Sequence, residues 1–116
     1  QAGAEFDAAI LAATALGSGA LESEREALRS INRMIYLTER DLGVEEGLPQ
    51  RPWFRHMIYA PGFYTGYGVK TIQAVREALE QGDTAEARRY ALTVARALAS
   101  MSGRVREAAA GLRALR

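Results

Sequence analysis

The chain has 116 residues, 48% of them hydrophobic, with 15 basic and 14 acidic side chains and a net charge of +1. That length suits one domain with a real core and argues against disorder. Balanced charge argues against a nucleic-acid partner, the lack of cysteine removes thiol chemistry and disulfides, and no apolar run reaches membrane-span length.

Ala and Leu dominate the apolar residues and β-branched residues are few, which favours helices. The start, Gln1-Ala-Gly-Ala-Glu-Phe, has no initiator Met and no signal-peptide charge pattern, and reads as an excised piece of a longer protein. Ala4 to Leu16 reads as a short, Ala-rich first helix, truncated and closed by Gly17-Ser18-Gly19. A second helix is predicted from Ser23, where Ser23 and Glu26 have capping-box spacing. Its apolar stripe is Leu28, Ile31, Ile35 and Leu42, flanked by Met34 and Leu37, and Gly43 stops it.

Val44 to Val69 differs in character. It holds all three prolines (Pro49, Pro52, Pro61) and six of the nine aromatic residues: Trp53, Phe54, Tyr59, Phe63, Tyr64 and Tyr67. So long a stretch is expected to be an ordered loop. It can be a packed cover for one end of the protein or a recognition loop, and both readings stand on the residues alone.

A third helix is predicted from about Lys70 to Gln81, with Ile72, Val75, Ala78 and Leu79 inward and Gly82 as its stop. Asp83 then caps a fourth, with Glu86 completing the box, and Tyr90, Ala91, Val94, Ala97, Leu98, Met101, Val105 and Ala108 along its apolar side. The short Gly82-Asp83 junction predicts antiparallel neighbours. The expected fold is all-α, a four-helix up-and-down bundle with a long ordered loop between helices two and three. Charge pairs such as Glu22 with Arg25 read as solvated faces.

Catalytic chemistry is hard to find. His56 is the single histidine and fits a hydrogen-bonded structural role better than a metal ligand, since a catalytic zinc takes three protein ligands. No serine sits in a nucleophile elbow, and adjacent Glu45 and Glu46 diverge. The run Gly66-Tyr67-Gly68-Val69-Lys70-Thr71 fails the phosphate-loop pattern because Val69 stands where glycine is needed. The chain is therefore expected to hold no cofactor or metal and to be no enzyme by itself.

From Leu48 to Pro61 the chain reads Leu-Pro-Gln-Arg-Pro-Trp-Phe-Arg-His-Met-Ile-Tyr-Ala-Pro. With Leu48, Pro49, Arg51, Pro52, Arg55, His56, Tyr59, Ala60 and Pro61 in their places, this strongly resembles the transferrin-receptor-like dimerisation domain. That is the C-terminal helical domain of the transferrin receptor and of glutamate carboxypeptidase II. The helix from Leu28 to Leu42 and the long Ala-rich last helix resemble the family too, over roughly Phe6 to Leu112. The resemblance implies a domain that pairs two subunits. It implies a parent protein with a separate peptidase domain, two zinc ions there, and a peptide substrate hydrolysed by metal-activated water. It also implies that the loop between helices two and three helps shape the substrate pocket. A Lys-Tyr pair of glutamate carboxypeptidase II contacts the substrate's glutamate carboxylate. By count from the shared Tyr-Ala-Pro, the Tyr falls on Tyr67 and the Lys on Gly66, so the cation is missing and Lys70 is out of register. No Arg-Gly-Asp triplet for transferrin is present. The Ala/Arg-rich composition suggests a bacterial source. The rival expectation is an interaction module of a catalytically inactive, receptor-like relative.

Overall fold

The computed structural model describes residues 1–64, 66 and 68–115. In order they form α1 (Ala2–Thr14), α2 (Ser18–Ser23), α3 (Arg25–Leu37), a 3-10 helix (Thr38–Leu42), β1 (Tyr59–Pro61), β2 (Val69–Thr71), α4 (Gln73–Glu80) and α5 (Thr84–Arg113). Five α-helices and an antiparallel two-stranded sheet overturn the expected all-α, four-helix bundle. Two compact units are present. One joins Gln1–Glu39 with the chain from Met101 onward, and the other is Arg40–Ser100.

In the first unit, Gly17 does not end the ordered chain. Its φ of +85°, a value that glycine adopts without steric strain, turns the backbone so that a new helix starts at Ser18. The capping box at Ser23 does not form. The Ser23 hydroxyl donates to the Ala20 carbonyl at 2.7 Å, so Ser23 closes α2 and α3 follows without a side-chain cap. A local carbonyl outcompetes the next helix for the hydroxyl, and Glu24 stands as the N-cap just before α3 opens at Arg25. The core of this unit is Ala9, Ala13, Ile31, Ala108, Ala109, Leu112 and Leu115, with Phe6, Leu28, Met34 and Ile35 against it. So many alanines allow close backbone approach: an added Cβ on Gly111 would come within 3.0 Å of Ile31 Cγ1. The Arg113 guanidinium donates to the Glu5 carbonyl at 3.2 Å.

The second unit is built around Leu48, Met57, Ala60, Ala74, Tyr90 and Val94. Its α4 starts at Gln73, three residues later than expected, because Lys70 and Thr71 are committed to β2. Ile72 between them takes a left-handed conformation (φ +51°, ψ +48°). The Asp83 carboxylate accepts from the Glu86 amide at 2.8 Å and so caps α5. The return bond of the box is absent, because the Asp83 amide donates to the Ala78 carbonyl (2.8 Å). At about 1.5 Å per residue, the 30 residues of α5 extend on the order of 45 Å.

Candidate functional site

From Val44 to Ile58 the chain is ordered by backbone pairing rather than by regular elements. The Val44 amide donates to the Arg55 carbonyl at 2.9 Å and the Met57 amide to the Leu42 carbonyl at 2.8 Å, flanking an isolated bridge between Gly43 and His56. Inside that strap, the Leu48 amide donates to the Phe54 carbonyl (2.9 Å) and the Phe54 amide to the Arg51 carbonyl (3.0 Å). Gly47 sits at φ +64°, and a Cβ there would lie 2.7 Å from Pro52 Cα, so the turn accepts only glycine. The Gly47 carbonyl accepts the Tyr90 hydroxyl at 3.2 Å. Burial raises the Tyr90 pKa above the ordinary tyrosine value, against the opposing pull of Arg89, whose guanidinium lies 4.5 Å from the ring centroid.

The motif residues divide between inside and outside. Leu48, Arg51 and Ala60 are buried; Pro49, His56 and Pro61 are half-buried; Pro52, Arg55 and Tyr59 are exposed. His56 Nδ1 accepts from the amides of Tyr59 (3.0 Å) and Ile58 (3.3 Å), and its ring stacks near Tyr59. Among the described residues no group of three or more His, Cys, Asp or Glu converges on a metal position. No described helix is long and apolar enough to cross a membrane.

The strands β1 and β2 pair Tyr59 with Thr71, Ala60 with Lys70 and Pro61 with Val69, and the Ile72 amide extends the ladder to the Ile58 carbonyl at 2.8 Å. Gly62, Phe63, Tyr64, Gly66 and Gly68 therefore belong to the tip of a hairpin. Tyr67 lies outside the described residues. Gly66 is exposed at φ +60°, with open space where a side chain would project. Phe63 and Tyr64 meet edge to face, 5.0 Å between ring centroids, and Tyr64 is 77% exposed.

Beneath the tip is a polar cluster that the sequence reading missed. Arg51 pairs with Glu77 of α4, and both side chains are buried. Arg51 Nη1 donates to the Pro61 carbonyl at 2.7 Å, while Glu77 Oε1 accepts from the Phe63 amide and from Gln73 Nε2, each at 2.6 Å. The guanidinium lies 5.3 Å from the centroid of the Phe63 ring. This corrects the expected inner face of α4. Gln73, Ala74, Glu77 and Ala78 point inward, whereas Leu79 is 58% exposed and Ile72 is exposed too. The helix presents its carboxylate inward because the buried Arg51 needs a partner. An acidic residue on an otherwise Ala-lined seam (Ala74, Ala78) was the available signal. Next to the clamp is a cleft of about 150 Å³ lined by Phe63, Tyr64, Lys70, Arg76 and Glu80 among others.

The family model of the transferrin receptor-like dimerisation domain matches residues 1–106. The chain belongs to that family. A protein of Arabidopsis thaliana named a probable glutamate carboxypeptidase is 36% identical over 63 residues, 49% of this chain. One of Arthroderma benhamiae with the same description is 41% identical over 69 residues, 56% of this chain. Each alignment covers 9% of the relative, so this dimerisation domain corresponds to a small part of those proteins. One relative is from a plant and the other from a fungus, which lends no support to a bacterial source.

Proposed function

We propose that this chain is the homodimerisation domain of a zinc-dependent exopeptidase of the glutamate carboxypeptidase type, and that its 62–68 tip walls part of the peptide pocket of a separate catalytic domain. Membership of a dimerisation family over residues 1–106 is the observation that carries the first part. The names of the two relatives support the peptidase parent. Support for the pocket role comes from the hairpin tip, which is anchored at its base and displays Phe63 and Tyr64 to solvent. Two zinc ions, with ligands from the parent's catalytic domain, are part of this reading by resemblance to the family.

Two measurements test the reading. Sedimentation of the purified chain should give a concentration-dependent dimer, because apolar side chains such as Leu11, at 72% exposure, are left uncovered within the protomer. A strict monomer at high concentration counts against it. In the full-length enzyme, Tyr67→Phe should raise KM or lower kcat modestly with zinc content unchanged. With Gly66 where a cation would be required, a strict preference for C-terminal glutamate is not expected. Gly66→Lys should favour that residue by supplying the cation, since the side chain has open space, although the backbone at φ +60° is strained for any residue but glycine.

A further inference from the structure

Arg51 and Glu77 lie 26 positions apart, and the whole residues are only 6% and 7% exposed. Burying two charges is rarely the best route to stability, because apolar side chains of similar volume do as well or better. This pair also leaves polar atoms unsatisfied: Arg51 Nε and Gln73 Oε1 are buried with no hydrogen-bond partner. A core selected for stability alone would not retain that arrangement.

What the pair supplies, and an apolar pair cannot, is a hold on the backbone at both sides of Gly62. Arg51 grips the Pro61 carbonyl, where β1 ends, and Glu77 grips the Phe63 amide, where the tip begins. The same guanidinium faces the Phe63 ring. Gln73, one turn before Glu77, holds the carboxylate oxygen that receives the amide. The base of the tip is thus tied to α4 by charge-assisted bonds, which are shorter and more directional than apolar contacts.

We infer that Arg51 and Glu77 are a positioning pair that sets the direction in which Phe63 and Tyr64 are presented at the tip of the hairpin. Its catalytic consequence rests on the reading that this tip walls the peptide pocket. The pair touches no substrate itself and acts through Phe63 and the residues that follow.

The test is the double variant Arg51→Met/Glu77→Leu in the full-length protein, compared with Tyr67→Phe. Either single change would leave a buried charge unpaired, whereas the double change removes both and should keep the fold. The Phe63 amide should exchange with deuterium about tenfold faster, reflecting one lost charge-assisted hydrogen bond. KM for peptide should rise several-fold while kcat stays near the parent value. A folded double variant with Phe63 protection unchanged overturns the inference. A double variant that cannot fold assigns the pair to the core and overturns it as well. Faster Phe63 exchange with KM unmoved in both variants sinks the pocket reading and leaves the positioning role standing.

Discussion

At the residue scale, Gly47 combines a left-handed φ of +64° with a Pro52 backbone so close that a methyl group has nowhere to go. Gly47→Ala should therefore destabilise by about 2–4 kcal/mol, strain and backbone clash together, readable as a lower urea midpoint. A midpoint within error of the parent would contradict the turn geometry. Tyr90, which bonds to that same glycine, makes a pH prediction. Its pKa is raised on folding, so its contribution is intact below the ordinary tyrosine value of about 10 and is lost as pH climbs from there through the folded value. Tyr90→Phe should flatten the alkaline stability profile, at the expense of one hydrogen bond at neutral pH. Neither contact was legible in the sequence, because Gly47 and Tyr90 lie 43 positions apart and each looks locally ordinary.

At the element scale, four of the five helices announced themselves, whereas α2 and the two strands did not. Ile31, Met34 and Ile35 pack on one core, as their helical spacing predicts. The strands are three residues each, one of them ending in Pro61, too short to show the alternation that identifies a strand. The inner face of α4 was misread for a related reason. Apolar periodicity pointed to Ile72 and Leu79, but a long-range ion pair turned Glu77 inward. Ile72 also stands in left-handed backbone, where a β-branched side chain is strained by roughly 1–2 kcal/mol. Ile72→Asn should raise the melting temperature of the isolated chain, since asparagine tolerates that conformation and the site is already exposed. A lower melting temperature would mean that the isoleucine's apolar contacts outweigh the strain.

At the scale of the whole molecule, membership of a dimerisation family was legible from the fourteen residues Leu48–Pro61, whereas the fold was only partly so. That one short segment does several jobs at once: Leu48 and Ala60 fill a core, Arg51 carries the clamp, and His56 accepts from two amides. Association should depend on apolar side chains that the protomer leaves uncovered. Leu11→Gln is expected to shift the sedimentation profile towards monomer with helix content unchanged, and an unaltered profile would place the contact elsewhere.

The division of the chain has a consequence for its biogenesis. The middle unit, Arg40–Ser100, is one continuous stretch, while the other needs Ala108, Ala109 and Leu112 to finish a core begun by α1 and α3. On a ribosome moving at about 5–20 residues per second, the earliest helices must wait several seconds for those late alanines to emerge. During that interval Ile31 has only the α1 side of its core, Ala9 and Ala13, and its other side stays open to a chaperone or to premature pairing between nascent chains.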